Sequence, residues 1–151
     1  AAAYLDRSFT KIANPGPPTE FATGEHHQLH GLVGLDWSLF GVDMSGQYIL
    51  QYIHDYDEML QANEFDHTLT FRMRDSYLSD TLTWELFAYL GFDPEDMSDS
   101  VDALLRPSLT YSLEDGVEIQ AGTELFLGDD TGKFGQYADN SLAYVSLRWY
   151  F

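Results

Sequence analysis

Arginine and carboxylate side chains recur within segments that alternate between polar and apolar residues. Four of the seven basic residues are arginines in such segments, and all lie on the polar side. Arginine forms planar, bidentate pairs with carboxylates, and an unpaired enclosed charge is costly. We therefore predict that these groups form a paired network in an enclosed interior, made of Arg72, Arg74, Arg106, Arg148, Asp36, Glu85, Glu118 and Glu124.

Most of the other acidic residues lie between these segments. With 25 acids against seven basic residues, the formal charge is −18, which argues against nucleic-acid binding because that needs a basic surface. The acids indicate either a solvated surface or oxygen ligands for divalent cations that bridge to lipopolysaccharide phosphates. Asp129 and Asp130 have the composition of a calcium loop without the spacing of an EF-hand. No other cofactor is expected.

The histidines are the remaining candidates for chemistry. His26, His27 and His30 crowd the start of one segment, where a surface cluster is favoured over a metal site because no carboxylate stands at a recognisable spacing. His54 and His67 flank a long loop and are the histidines suited to a barrel-embedded lipid-modifying enzyme. The sequence contains no Gly-x-Ser-x-Gly elbow. We predict no enzyme and no catalytic residue, with the lipid-modifying enzyme as an alternative.

Strands with two different faces would position these groups. Apolar residues alternate with other residues at a period of two, which is typical of β-strands. The alternation covers residues 28–39, 42–53, 68–74, 82–92, 105–113, 117–127 and 142–151. Residues 3–12 show a blurred version and are counted as an eighth strand.

The connections between these segments also alternate in length. Long polar connections are predicted at residues 13–24, 55–66, 93–102 and 128–140, and short ones near Gly41, at 76–80 and at 114–116. Bacterial outer-membrane barrels have long extracellular loops and short periplasmic turns. We therefore predict one domain over residues 1–151, an all-β, antiparallel up-and-down transmembrane β-barrel of about eight strands with both termini in the periplasm.

The alternation alone would also fit a soluble β-barrel that binds an apolar ligand, which stays an alternative. Two features favour the membrane: the apolar faces carry no charge, and the charges within the strands lie on the opposite face. The aromatic content of 15% agrees with aromatic girdles at the membrane interfaces. No apolar run reaches the length of about 18 residues that a membrane helix needs. The start Ala1, Ala2, Ala3 fits either a processed signal peptide or a chain whose beginning is missing, and the absence of cysteine suits export.

The last strand ends on an aromatic residue. Val145, Leu147, Trp149 and Phe151 alternate up to the C-terminus. This arrangement resembles the signal that the barrel-assembly machinery reads in the periplasm, and we predict that these residues serve as such a signal.

Several short strings carry a family resemblance, which covers the chain from about residue 25 onward. They are Gly34-Leu35-Asp36-Trp37, Ser45-Gly46-Gln47-Tyr48, Leu105-Arg106-Pro107-Ser108-Leu109-Thr110-Tyr111, Asp115-Gly116-Val117-Glu118-Ile119, Gly122-Thr123-Glu124-Leu125-Phe126 and Gly132-Lys133-Phe134-Gly135-Gln136-Tyr137. They resemble the closing region of a large uncharacterised family of Gram-negative outer-membrane β-barrels, often encoded beside exporters of the resistance–nodulation–division type and a lipoprotein-like partner.

The resemblance implies that this chain is the C-terminal part of a larger barrel, because members of that family are several times longer. It also implies transport of hydrophobic molecules or lipids, by association alone. We therefore expect a non-enzymatic outer-membrane protein with a transport, pore or envelope-structural role, in contact with outer-membrane lipid and lipopolysaccharide.

Overall fold

The protein forms an all-β, antiparallel sheet, as predicted. The computed structural model describes residues 2–14, 20–94, 101–113, 116–130 and 132–151. Its eight strands follow one another across the sheet in sequence order. They are β1 (Ala2–Asn14), β2 (Glu20–Leu39), β3 (Val42–Ile53), β4 (Phe65–Tyr77), β5 (Leu82–Phe92), β6 (Asp102–Leu113), β7 (Val117–Leu127) and β8 (Leu142–Trp149), with a 3₁₀ helix at Gly135–Asn140 before β8.

The sheet is not closed, which differs from the predicted barrel. Within the described ranges no pairing joins β1 to β8. Part of the outer edge of β1 is instead occupied by the chain's own long loop. The N–H of Ile12 donates to the carbonyl of Met59 at 2.8 Å, and the N–H of Gln61 donates to the carbonyl of Thr10 at 3.0 Å. These bonds use backbone groups that a neighbouring strand would otherwise need.

The blurred alternation of the first strand has a structural cause. Its pairing with β2 shifts between Tyr4 and Arg7, and Asp6 has a positive φ of 52°. An extra residue in one strand of a pair shifts the residues beyond it to the opposite face. The polar and apolar residues of β1 therefore change sides part-way along the strand, and no single period describes them.

The chain divides into two compact units. The first unit consists of Ala1–Val33 and Ile49–His67, and the second of Gly34–Tyr48 and Thr68–Phe151. In the second unit, β2 and β3 meet in a tight turn at Phe40 and Gly41, whose φ angles of 53° and 90° are both positive. Two positive φ angles are the mark of a type I′ hairpin turn.

The pairing of β5 to β8 in the second unit brings the predicted apolar residues to one side. Leu86 pairs with Pro107, Leu109 with Ala121, and Ala121 with Val145. Residues opposite each other in antiparallel strands share a face. This side is called the apolar face below. The opposite side, which carries Glu85, Arg106, Glu118, Glu124 and Arg148, is called the polar face.

In β7 and β8 the apolar face is more exposed than the polar face. In β7, Ile119 and Leu125 are exposed whereas Gln120 and Glu124 are half-buried. In β8, Val145 and Leu147 are 76% and 70% exposed, and Ser146 between them is half-buried.

Buried side chains in the described part of the chain are as often polar as apolar. They are Ile53, Leu60, Ala88, Ala103, Gln28, Thr68, Thr70 and Asp102. The core of a water-soluble domain is built mainly from large apolar side chains, whereas only two of these eight buried residues, Ile53 and Leu60, are large and apolar.

Candidate functional site

Three arginines of the second unit bind three of the predicted carboxylates across neighbouring strands. Arg106 Nη2 lies 2.8 Å from Glu124 Oε1, and Arg148 Nη1 lies 3.3 Å from Glu118 Oε2. Arg72 Nε donates to Glu85 Oε2 at 3.0 Å, and Arg72 Nη2 contacts the same oxygen. The pairs join β6 to β7, β8 to β7, and β4 to β5, so each links two adjacent strands.

The other two predicted members of the network lie together at one end of the second unit. Asp36 and Arg74 line an open cavity of about 390 Å³, which Asp43 and Arg72 also line. At its rim, Ser38 Oγ donates to Asp43 Oδ1 at 2.5 Å. This end therefore holds two arginines and two aspartates.

Between the ion pairs the polar face consists mainly of hydroxyl and amide groups. A cavity of about 440 Å³ is lined by Thr83, Ser108, Thr110, Gln120, Arg74 and Arg148, among others. Ser76 and Thr83 share a hydrogen bond of 2.9 Å. This part of the polar face offers donors and acceptors to water or to a polar solute.

Aromatic side chains collect on the polar face near the far end of β5 and β7. The ring centroids of Phe87 and Tyr89 are 4.6 Å apart. Two residues that follow β7 add their rings to this cluster. The ring centroid of Phe134 lies 6.1 Å from that of Tyr89, and the centroid of Tyr137 lies 5.9 Å from that of Phe126. The last long connection is thus folded against the polar face.

Asp102 and Lys133 hold this connection, and neither is among the site residues that the sequence predicts. The backbone N–H of Lys133 donates to Asp102 Oδ2 at 2.6 Å, and its ammonium donates to Thr68 Oγ1 at 2.9 Å. Asp102 was predicted to be a loop acid, but it is the first residue of β6 and is only 8% exposed. In the sequence, the glycine-rich stretch ahead of β8 is the feature that could have indicated a close contact there.

A smaller polar cluster lies in the first unit. Gln28 is buried, its amide donates to Gln51 Oε1 at 3.2 Å, and Arg7 Nη1 donates to Gln28 Oε1. Arg7 also lies over the ring of Phe9, 5.7 Å from its centroid. Because of the register shift in β1, the alternation of polar and apolar residues does not predict which face Arg7 occupies.

The histidines and loop acids do not assemble into a metal site in the described part of the chain. No three His, Asp or Glu side chains there are arranged to hold an ion. The ring centroids of His27 and His54 are 6.4 Å apart, and His54 Nδ1 lies 3.0 Å from Asp55. His67 stacks on Phe65 at 6.3 Å, and Asp129 and Asp130 are exposed.

The predicted assembly signal lies at an exposed strand end. Val145, Leu147 and Trp149 are exposed on the apolar face, and Phe151 is fully exposed. The rings of Trp149 and Phe151 meet edge to face with centroids 6.2 Å apart.

Comparison of the chain with protein-family models, with curated proteins and with solved structures gives no match. The family resemblance and the partners that it implies therefore stay predictions. Among the residues that the structure describes, no helix is both long and apolar enough to cross a membrane.

Proposed function

We propose that this chain is an outer-membrane β-barrel protein, or a segment of a wider barrel, with a non-enzymatic role in transport or envelope structure. The observation that carries the proposal is the reversed burial of β7 and β8. Most of their apolar-face residues are exposed, among them Ile119, Leu125, Val145 and Leu147, whereas most of their polar-face residues are half-buried, with Arg148 an exposed exception. Contact of the apolar residues with lipid hydrocarbon carries no free-energy cost, whereas their exposure to water does.

Strand length supports the same proposal. β3 to β7 are 11 to 13 residues long. A tilted strand needs about 9–11 residues to cross the hydrocarbon core of a bilayer. Each of these five strands is therefore long enough to span the membrane.

The open edges of the sheet favour a segment of a wider barrel. A membrane-spanning sheet cannot leave backbone N–H and C=O groups unpaired in hydrocarbon. β1 and β8 are not paired to each other, so further strands would have to cover the outer edge of β8 and the part of the β1 edge that Met59 and Gln61 do not occupy. The hydroxyl-rich polar face would then line a water-filled path for polar solutes, and the aromatic cluster would form one apolar stretch of it.

Detergent dependence and conductance test the proposal. We expect the purified chain to be monodisperse in a mild detergent and to aggregate when the detergent is removed. In planar bilayers, where its open edges must pair with those of other copies, we expect it to insert with discrete conductance steps. A chain that stays monodisperse without detergent would contradict the membrane location and favour the soluble β-barrel. A chain that is monodisperse in detergent and inserts into bilayers, but does not conduct, would favour the envelope-structural role.

A further inference from the structure

The connection between β7 and β8 crosses the polar face of the second unit. Its residues 132–140, called the inner segment below, begin with Gly132 and Lys133 and end with the 3₁₀ helix. The backbone of Lys133 is held at the first residue of β6, Asp102, and its ammonium group reaches Thr68 in β4. Because β5 lies between β4 and β6, the lysine side chain crosses over β5.

Gly91 of β5 leaves room for this crossing. A Cβ atom at Gly91 would lie 3.6 Å from Cδ of Lys133, so the aliphatic stem of the lysine packs on the glycine backbone. Phe134 and Tyr137 then pack on Tyr89 and Phe126 of the polar face. The inner segment is therefore held by two kinds of contact, the hydrogen bond of the Lys133 ammonium and the ring contacts of Phe134 and Tyr137.

The carboxylate of Asp102 lies where the inner segment begins. A Cβ atom at either Gly128 or Gly132 would collide with this carboxylate, and Gly128 also has a φ of 132°, which side-chain-bearing residues rarely adopt. The two glycines thus bring the backbone close enough for Asp102 to accept the N–H of Lys133. Since Asp102 is 8% exposed, this hydrogen bond to a charged group is shielded from water.

We propose that the inner segment is an inward-folded gate that narrows the path along the polar face, and that Asp102 is the positioning residue that holds it there. This proposal rests on the proposed function, because a gate needs a path. Release of the segment from Asp102 would free Lys133 and its aromatic neighbours from the polar face and widen the path.

A protease that cleaves after lysine tests the gate without reference to transport. The chain has two lysines, Lys11 and Lys133, so cleavage at Lys133 yields one fragment of residues 134–151. In detergent micelles we expect Asp102→Ala to speed this cleavage by about tenfold or more, because a hydrogen bond to a charged group is lost. Cleavage at Lys11 reports on unfolding of the first unit and is expected to stay unchanged. The matched control Asp139→Ala removes an exposed acid of the same segment and is expected to have no effect.

A second variant covers the case in which Asp102→Ala fails to fold. Gly132→Ala pushes against the same carboxylate from the inner segment and leaves β6 intact, so it is expected to speed cleavage at Lys133 as well. Unchanged cleavage in the folded variants overturns the gate.

Planar-bilayer conductance completes the test, and we expect both variants to conduct more than wild type. Faster cleavage with unchanged conductance in a conducting chain also overturns the gate. Absence of conductance in every variant, wild type included, instead contradicts the path on which the proposal rests.

Discussion

The ion pairs of the polar face can report whether that face is enclosed. The side chains of Arg106 and Glu124 are 49% and 28% exposed in the chain alone. Pairs that are fully open to water contribute about 0–1 kcal/mol, whereas removal of one partner of an enclosed pair costs about 3–5 kcal/mol.

A double-mutant cycle on Arg106→Ala and Glu124→Ala should therefore give a coupling energy above about 1 kcal/mol, the upper end of the range for exposed pairs. The measurement is the free energy of unfolding in lipid vesicles. The control cycle uses Lys11 and Asp57 of the first unit, which lie off the polar face, with charged atoms 3.9 Å apart and side chains 33% and 39% exposed. This pair should give a coupling within the range for exposed pairs, about 0–1 kcal/mol. Equal couplings in the two cycles would mean that the polar face is open to water.

Gly122 shows how closely a side chain can cover the polar face. Tyr144 pairs with Gly122 across β7 and β8, and a Cβ atom at Gly122 would lie 2.7 Å from the tyrosine hydroxyl and 3.0 Å from the carbonyl oxygen of Pro107. Gly122→Ala should destabilise the folded chain by about 1–3 kcal/mol, the usual cost of overpacking.

Chemical denaturation in vesicles measures this cost, with Gly31→Ala as the matched control. Nothing lies within 4 Å of a Cβ atom at Gly31, so that variant should be close to wild type in stability. Similar losses in the two variants would show that the effect comes from the strand backbone instead of Tyr144.

Strand β8 allows the two faces of one element to be compared. Val145 lies on the apolar face and is exposed, whereas its neighbour Ser146 pairs with Gln120 on the polar face. Arginine on a lipid-facing position near the bilayer midplane costs about 2–4 kcal/mol. We expect Val145→Arg to lose that amount of folding free energy in vesicles and Ser146→Arg to lose much less. The reverse order would place the apolar face away from lipid.

The end of β8 is predicted to act during assembly and not in the folded state. Phe151 is fully exposed and its described ring contact is to the neighbouring Trp149. Phe151→Ala should therefore reduce the amount of folded protein in cells severalfold while it leaves refolding into vesicles unchanged. Phe40→Ala, which removes another highly exposed aromatic ring, is the control. A refolding defect in vesicles would point to a structural role for Phe151.

At the scale of the whole molecule, the faces of the strands were predictable and the closure of the sheet was not. Alternation at a period of two assigned Leu109, Ala121 and Val145 to one side, and the pairing places them there because register fixes every side chain of a strand at once. Pairing between the first and last strands leaves no such mark in the sequence. The loop that occupies the edge of β1 at Thr10 and Ile12 has no periodicity to predict its position.

The candidate site divides in the same way. The partners of Arg72, Arg106 and Arg148 lie on adjacent strands, so charge and face were enough to predict which residue types would meet. The contacts of Lys133 with Asp102 and Thr68 depend on how a long connection folds back, which local sequence does not determine.

Above all, we propose that the apolar face contacts lipid hydrocarbon. The chain has no cysteine, so single cysteines can be placed along β8 at Tyr144, Val145, Ser146 and Leu147 and spin-labelled in vesicles. Oxygen concentrates in the hydrocarbon and a water-soluble nickel complex stays outside it. We predict that labels at 145 and 147 are accessible to oxygen, and labels at 144 and 146 to the nickel complex. Equal accessibility along the strand, or nickel accessibility at 145 and 147, would contradict the claim.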